Sequence, residues 1–322
     1  MNIAILGLGA IAKQMAKAIA LNPDAVPYAA AARNLSRAQA FAAEFGFQKA
    51  YGSYDELLAD PAVELVYIAV PHALHAEYAI MCLKAGKHVL LEKPFTATYA
   101  QAQQVIDLAR EKHLFAGEGM WMKYLPMCDT IKQLCEDGTI GQPVMMHGSI
   151  GYCLTQPRLF DPAMAGGALL DVVCYTLALA GLIFGYDTKE ITSRAVLTPQ
   201  GVDATHTYVL TYENGKMASF TNSMVSRGGC TTEIWGTAGC LVIDTTNNLA
   251  KVTVLDAAGA PVRTIDRQPW QNSYQYELAA VLTAIGEGRL DTPQCPHSEI
   301  LSRLLQMDIM RSRWGMKYPF EG

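Results

Sequence analysis

Residues 2–12 are Asn-Ile-Ala-Ile-Leu-Gly-Leu-Gly-Ala-Ile-Ala, and this stretch decides the fold. The apolar run Ile3–Leu6 predicts a buried β-strand. The residues after it fit the pattern Gly-x-Gly-x-x-Ala at the start of a helix, which is typical of a turn that binds a dinucleotide. The alternative is a glycine turn in an α/β protein without a nucleotide.

Each small residue of this turn has a separate steric task. Gly7 permits the tight turn, Gly9 lets the backbone approach a pyrophosphate, and Ala12 allows close packing of helix on strand. The first residues of the helix, Ala10 and Ile11, would direct its N-terminus at the phosphates. We therefore expect these residues to contact a dinucleotide.

From residue 1 to about residue 120, apolar runs alternate with amphipathic segments, as in a doubly wound parallel sheet of the Rossmann type. The predicted strands are Asn2–Leu6, Val26–Ala32, Leu65–Val70, His88–Leu91 and Leu114–Glu118. Predicted helices include Ser36–Phe45, with Ser36 as its N-cap, and Tyr99–Lys112. We expect residues 1–120 to form a dinucleotide-binding domain.

Residues 121–322 have a different pattern and are expected to form an α+β domain with an open, mainly antiparallel sheet. Alternating runs on both sides of Asn214-Gly215 predict a β-hairpin with a two-residue turn. Further strands are predicted at Val144–Tyr152, Cys230–Trp235, Cys240–Asp244 and Leu249–Leu255, and helices at Ala168–Phe184, Ser273–Ile285 and Ser298–Arg313.

Composition excludes several classes of protein. Of 322 residues, 51% are hydrophobic and 17% charged, which excludes a disordered, collagen-like or coiled-coil chain. A net charge of −5 favours neither nucleic acid nor a membrane as partner. The apolar run Val172–Gly185 is short for a membrane span and predicts a buried core helix. Eight scattered cysteines and a start without a basic leader lead us to expect a cytoplasmic protein.

The end of the second predicted strand bears on the choice of dinucleotide. A carboxylate there would accept a hydrogen bond from the ribose 2′-OH of NAD, but residues 31–37 are Ala-Ala-Arg-Asn-Leu-Ser-Arg. Arg33 and Arg37 suit a 2′-phosphate, so we expect NADP(H) to be preferred, with NAD(H) possible. The alternative is that Arg33 is a solvated surface charge.

Two further motifs carry groups suited to proton transfer. A predicted strand ends in Glu92-Lys93-Pro94, and ligands bind at that end of open α/β sheets, so Lys93 is a candidate acid or base. In the block 165–175, a helix would place Asp171 and Tyr175 on one face, at i and i+4. The alternatives are a surface lysine, a satisfied structural carboxylate and a packed tyrosine.

Other polar residues are expected to be structural. His72 and His75 have no thiolate beside them, so we expect no metal. Cys174 is predicted to be a buried, inert thiol. His206, on a predicted strand, is expected to be a satisfied sheet histidine rather than a substrate contact.

With these motifs in order, the sequence resembles the glucose-fructose oxidoreductase and inositol dehydrogenase family, often written Gfo/Idh/MocA, over nearly its whole length. The segments that carry the resemblance are Gly7–Ala12, Tyr67–Pro71 followed by His75, Glu92–Pro94, Gly166–Tyr175, Glu233–Thr237 and Arg313–Glu321. Residues 118–126 and 165–171 look most like the dimeric dihydrodiol dehydrogenase and NADP-dependent D-xylose dehydrogenase branch.

The resemblance implies an NAD(P)-dependent dehydrogenase of CH–OH groups, with a sugar, polyol or vicinal diol as substrate. It implies that Lys93 and Tyr175 handle the proton, that Asp171 holds Lys93 or the substrate, and that Trp121 walls the site near the nicotinamide. Many relatives carry His in place of Tyr175, so whether Lys93 or Tyr175 is the formal acid or base stays open.

The resemblance also implies contacts and assembly. Pro71, His75, Glu92 and Lys93 would lie at the cofactor, and the peptide bond before Pro94 would be cis. A homodimer or homotetramer would form through the sheet of the second domain. Two alternatives remain: a dinucleotide-binding sensor without catalysis, and a reductase of the family that acts on a different carbonyl.

Overall fold

The computed structural model describes residues 1–269 and 272–321. These residues form two compact units. The first contains Met1–Tyr124 and the described residues of 270–301, and the second contains Leu125–Pro269 and the described residues of 302–322. The first break lies close to the expected boundary after residue 120, but the second unit is not the contiguous stretch that the sequence predicts.

The first unit is built on a six-stranded parallel sheet. Its strands are β1 (Asn2–Leu6), β2 (Val26–Ala31), β3 (Lys49–Tyr51), β4 (Leu65–Ile68), β5 (His88–Glu92) and β6 (Ala116–Gly119). Their order is β3-β2-β1-β4-β5-β6, which reverses between β1 and β4 and confirms the doubly wound Rossmann sheet. Residues 3–6 are fully buried, as a sheet covered on both faces requires.

Helices connect these strands. They are α1 (Ala10–Leu21), α2 (Leu35–Phe45), α3 (Tyr54–Ala59), α4 (His75–Lys84) and α5 (Tyr99–Lys112). The N-cap of α2 is Asn34 and not the predicted Ser36, because the Asn34 side chain accepts a hydrogen bond from the amide of Arg37. The sequence does not predict β3, since three residues at a sheet edge are too few for a periodic pattern.

The second unit contains a mixed eight-stranded sheet. Its strands are β7 (Pro143–Gly151), β8 (Thr188–Leu197), β9 (Asp203–Tyr212), β10 (Met217–Ser223), β11 (Thr231–Gly236), β12 (Gly239–Asp244), β13 (Lys251–Asp256) and β14 (Pro261–Asp266). Their order is β14-β13-β12-β11-β7-β10-β9-β8. The pair β7–β10 is parallel and its neighbours are antiparallel, which confirms the mainly antiparallel sheet. The predicted hairpin joins β9 to β10, with Gly215 at a φ of 79°.

Besides α6 (Pro126–Glu136), this unit contains α7 (Cys174–Phe184), which follows a π-helical turn over Leu169–Val173. The predicted helix Ala168–Phe184 is therefore helical throughout, but one turn of it is of the π type. The helical stretch Pro162–Phe184 is long and apolar enough to cross a membrane by length and composition alone. However, 78% of its most apolar window is buried inside the protein, a feature of core helices.

After the second sheet the chain returns to the first unit, where it forms helix α8 (Tyr274–Gly286). The next helix is α9 (His297–Arg313). In α8, the residues Tyr274, Leu278 and Val281 are buried in one hydrophobic cluster with residues of α1, α2 and the parallel sheet. Helix α8 therefore belongs to the Rossmann unit and not to the second unit, although the sequence prediction assigned all residues after 120 to one domain.

Candidate active site

The glycine turn after β1 has two glycines with different constraints. Gly7 has a φ of 91°, and a Cβ at this position would lie 2.7 Å from the carbonyl oxygen of Ala69, so a side chain is excluded. Gly9 is the N-cap of α1, and no heavy atom lies within 4 Å of the place where its Cβ would be. The start of α1, at Ala10 and Ile11, thus presents backbone N–H groups beside open space, a geometry that fits a pyrophosphate.

One arginine is held against this turn, and a second follows β2. Arg37 donates a hydrogen bond of 2.7 Å from Nη2 to the carbonyl oxygen of Leu8, so its guanidinium is held against the glycine turn. Arg33 follows β2 and is exposed. Its positive charge favours the ionised forms of Tyr54 and Tyr78. The rings of these two tyrosines pack edge to face, with centroids 4.9 Å apart.

The two tyrosines were not predicted as part of this edge. Burial raises the pKa of both Tyr54 and Tyr78, and the charge of Arg33 opposes that rise. The two residues lie on α3 and α4, so sequence spacing alone does not pair them. They add aromatic surface beside the arginine at the carboxyl edge of β2.

Three buried side chains hold the backbone around Lys93. The amide of Lys93 donates to Glu92 Oε2 at 3.2 Å, and the amide of Phe95 donates to Glu118 Oε1 at 2.9 Å. The carbonyl oxygen of Pro94 lies 2.8 Å from Nδ1 of His75. The Lys93–Pro94 peptide bond is cis, as the resemblance implies. Lys93 is therefore fixed at the carboxyl end of β5, where sheets of this type bind ligands.

Glu92 is a buried carboxyl group. Burial raises its pKa to about 7, and a hydrogen bond from the hydroxyl of Tyr67 and the charge of Lys93 oppose that rise. A carboxyl of this kind changes its charge near neutral pH. It lies next to the predicted acid or base.

A second buried carboxyl, Glu277 on α8, was not predicted. Its two carboxyl oxygens have no hydrogen-bond partner among the described residues, and Oε1 would lie 3.4 Å from a Cβ on Gly119. Burial, together with the charges of Glu92 and Glu118, raises the pKa of Glu277 well above its ordinary value. Glu277 is thus a buried carboxyl group at the end of β6, and its surroundings disfavour the charged form. The signal in the sequence is a glutamate on the apolar face of a helix.

His75, an expected cofactor contact, has a buried side chain. Its ring is fully buried, with Nε2 2.9 Å from the carbonyl oxygen of Val70 in addition to the contact with Pro94. The ring thus connects the residues after β4 to those after β5, while Pro71 remains partly exposed. In residues 1–269 and 272–321 there is no cluster of three or more His, Cys, Asp or Glu that could hold a metal.

Trp121 lies just beyond β6, in a short 3-10 helix. Its indole stacks on the ring of Tyr274 with centroids 6.0 Å apart and an interplanar angle of 21°. The indole is therefore oriented by a residue of α8, which the sequence did not connect with it.

The predicted catalytic residues are divided between the two units, with Lys93 in the first and both Asp171 and Tyr175 in the second. Asp171 is the central residue of the π-helical turn and is partly exposed. Tyr175, in the first turn of α7, is 6% exposed. Turns of the π type are rare and frequently mark functional sites.

Comparison with known proteins identifies the family. Residues 1–120 match the GFO/IDH/MocA oxidoreductase family with its NAD-binding Rossmann fold, and residues 128–242 match the GFO/IDH/MocA C-terminal domain. The trans-1,2-dihydrobenzene-1,2-diol dehydrogenase of Mus musculus is 34% identical over 302 residues, covering 90% of this chain and 89% of the relative. That of Bos taurus is 36% identical over 312 residues, with the same coverage. These relatives confirm the predicted branch.

Solved structures share the fold. A levoglucosan dehydrogenase in complex with NADH has a TM-score of 0.86 at 22% identity and covers 99% of both chains. A 3-ketoreductase from Actinomadura kijaniata, in complex with NADP and TDP-benzene, has a TM-score of 0.89 at 25% identity and covers 97% of both chains. The chain therefore belongs to the Gfo/Idh/MocA oxidoreductase family and is an NAD(P)-dependent dehydrogenase.

Proposed function

We propose that the protein catalyses reversible hydride transfer between NADP(H) and the carbinol carbon of a vicinal diol, a sugar or a polyol. This proposal rests on the fixed position of the Lys93 backbone at the carboxyl end of β5. Glu92 holds this backbone directly, and His75 and Glu118 hold it through the neighbouring residues. A lysine fixed in this way is prepared for proton transfer at a defined place. The diol dehydrogenases among the relatives support the substrate class.

The nicotinamide, held by Pro71, Glu92 and Lys93, would supply the acceptor for a hydride from the carbinol carbon. The substrate O–H bond breaks as the carbonyl forms, and its proton passes to the neutral amine of Lys93 or to the phenolate of Tyr175. The same group returns the proton in the reductive direction. Asp171 orients the substrate, and Trp121 forms a wall of the substrate site.

The residues for the dinucleotide follow the predicted set. Gly7, Gly9, Ala10 and Ile11 supply the turn and the helix N-terminus for the pyrophosphate. Glu92 and Lys93, with the partly exposed Pro71, belong to the nicotinamide end, and His75 positions the backbone there without exposing its ring.

NADP(H) is proposed as the preferred form of the cofactor. Arg37 is held against the glycine turn, Arg33 follows β2, and residues 31–37 contain no carboxylate for a ribose 2′-OH.

The assembly and compartment are also proposals. Trp235 is 42% exposed and pairs in register with Met145 on β7, which pairs with the 39% exposed Met217 on β10. This row of large side chains on one sheet face supports a homodimer, or a homotetramer, formed through the second unit. The eight cysteines are free thiols, which supports a reducing cytoplasm.

The activity is tested with the purified protein, NADP⁺ and a panel of vicinal diols, aldoses and polyols, followed by formation of NADPH. Lys93→Met should lower kcat by about 10²-fold or more, since general acid–base catalysis contributes that much, while NADPH still binds through the glycine turn and the arginines. Lys84→Met, at an exposed lysine of α4, is the matched control and should behave like the wild type. Tight NADPH binding without turnover on any substrate or carbonyl product would instead identify a sensor.

A further inference from the structure

A buried carboxylate in the second unit connects the sheet to the turn that carries Asp171. Asp203 is the first residue of β9, and its side chain is completely buried. Its Oδ2 accepts two hydrogen bonds of 2.8 Å, one from the backbone amide of Leu169 and one from Nδ1 of His206. One oxygen therefore joins a sheet histidine to the first residue of the π-helical turn.

The contacts of His206 determine which ring nitrogen carries the proton. Its Nε2 lies 3.3 Å from Nδ2 of Asn222, which is a donor, so Nε2 accepts and Nδ1 donates to Asp203. The ring of Trp314 stacks on the imidazole with centroids 5.2 Å apart. The expectation that His206 is a satisfied sheet histidine is confirmed, and its hydrogen bonds lead from β10 through β9 to Asp203.

Gly167 completes this connection. Its φ is 113°, and a Cβ there would lie 2.1 Å from Asp203 Oδ1, so no other residue permits the carboxylate to come so close. The residue before the turn, Ala168, provides no side-chain cap. The carboxylate of Asp203 therefore takes the place of a local N-cap and complements the positive end of the helix.

We propose that Asp203 and His206 are positioning residues that fix the π-helical turn and, through it, the carboxylate of Asp171. The inference rests on the proposed role of Asp171 in substrate binding. Support from a sheet defines the position of a side chain better than a loop does, and a misplacement of about 1 Å can cost about 10²-fold in rate. The competing explanation is that the cluster only stabilises the core.

Two substitutions of one residue separate these explanations. In His206→Asn, the amide nitrogen takes the place of Nδ1 and still donates to Asp203. In His206→Gln, the amide nitrogen reaches only the place of Nε2, so the bond to Asp203 is lost. Both variants lose the stacking on Trp314, so their melting temperatures should fall together.

We expect His206→Gln to lower kcat about tenfold or more, with the Kd for NADPH nearly unchanged, and His206→Asn to retain most of the wild-type kcat. Asp203→Ala should lose at least as much as His206→Gln, and if it fails to fold, the His206 pair decides the matter. Thr232→Val is the matched control, because it removes the contact between the buried hydroxyl groups of Thr232, on β11, and Thr246. It should lose stability without losing kcat.

Hydrogen exchange at the Leu169 amide, measured without substrate, separates this inference from the proposed function. Exchange should be faster in His206→Gln than in His206→Asn and the wild type. Equal exchange in all three, or equal kcat in the two variants of His206, would overturn the positioning role. Altered exchange in a protein that turns over no diol, sugar or polyol would instead refute the proposed function while leaving the support of the turn intact.

Discussion

The backbone amide of Phe95 donates a hydrogen bond of 2.9 Å to a carboxyl oxygen of Glu118. The second carboxyl oxygen of Glu118 accepts a hydrogen bond from the thiol of Cys295. Glu118 is 2% exposed, so the segment after Lys93 is held by a carboxylate that water does not reach. This bond fixes the backbone two residues beyond the proposed acid or base.

We expect Glu118→Ala to lower the free energy of unfolding by about 1.5–3 kcal/mol, because a hydrogen bond to a charged group is lost and a buried donor is left without a partner. The kcat should fall as well, since the segment of Lys93 loses a support. Glu118→Gln keeps an acceptor for Phe95 and should lose less of both. Urea denaturation and turnover of the three proteins check this, and equal losses in the two variants would contradict it.

The two glycines of the first turn should separate folding from cofactor binding. Gly7→Ala places a Cβ against the Ala69 carbonyl at a positive φ, so we expect a strong loss of stability. Gly9→Ala meets no atom of the protein, so its melting temperature should stay near that of the wild type, while its Kd for NADPH rises about tenfold or more because the methyl group occupies the space of the pyrophosphate.

Differential scanning fluorimetry and fluorescence titration measure the two effects. If both variants bound NADPH as tightly as the wild type, the glycine turn would not be the pyrophosphate site.

Arg33 should decide the preference between the two dinucleotides. We expect Arg33→Ala to weaken NADPH binding about tenfold or more and to leave NADH binding nearly unchanged, since a charge-assisted hydrogen bond to the 2′-phosphate is removed. Arg110→Ala, at an exposed arginine of α5, is the control. The measurement is the ratio of the two Kd values. A wild type with equal affinity for both dinucleotides would remove the argument from Arg33.

The buried carboxyl of Glu92 should make stability depend on pH. Its pKa is raised from 4.5 to about 7, so the folded protein keeps a proton that the unfolded chain releases. This contribution to stability is complete below pH 4.5 and is lost as the pH rises through 7. Relative to Glu92→Gln, which stays neutral, the wild type should lose about 3 kcal/mol across this interval.

Urea denaturation at a series of pH values gives the two curves. Glu111→Gln, at an exposed glutamate of α5, should follow the wild type. Parallel curves for the wild type and Glu92→Gln would refute the raised pKa.

The exposed row on the large sheet should control the oligomeric state. We expect Trp235→Lys to dissociate the assembly, because it places a charge where a large apolar side chain would be buried. Val262→Lys, at an exposed residue of β14, is the control. Size-exclusion chromatography with light scattering reports the mass. A wild type that is monomeric at high concentration would contradict the proposed interface.

Local chemistry made the fold predictable. The turn at Gly7 and Gly9, the period of the strands and the Asn214-Gly215 hairpin depend on neighbours a few residues apart, so their steric rules can be applied to the sequence directly. For the same reason, the sequence alone was sufficient to locate the segment of Lys93 at the end of a strand. The N-cap of α2 was misplaced by two residues because Asn34 and Ser36 are both suitable caps, and only the backbone geometry separates them.

The sequence by itself thus determined the Rossmann unit, the open sheet and the residues that resemble those of the family. Only the tertiary structure showed that Glu118 and His75 hold the segment of Lys93, that Glu277 lies buried beside β6, and that Asp203 supports the turn of Asp171. The hydrogen bonds among these contacts join residues that are between 19 and 34 positions apart in the chain. Periodicity records which residues are buried, but the partner of a buried polar group depends on which elements the fold brings together, and a local pattern does not contain that information.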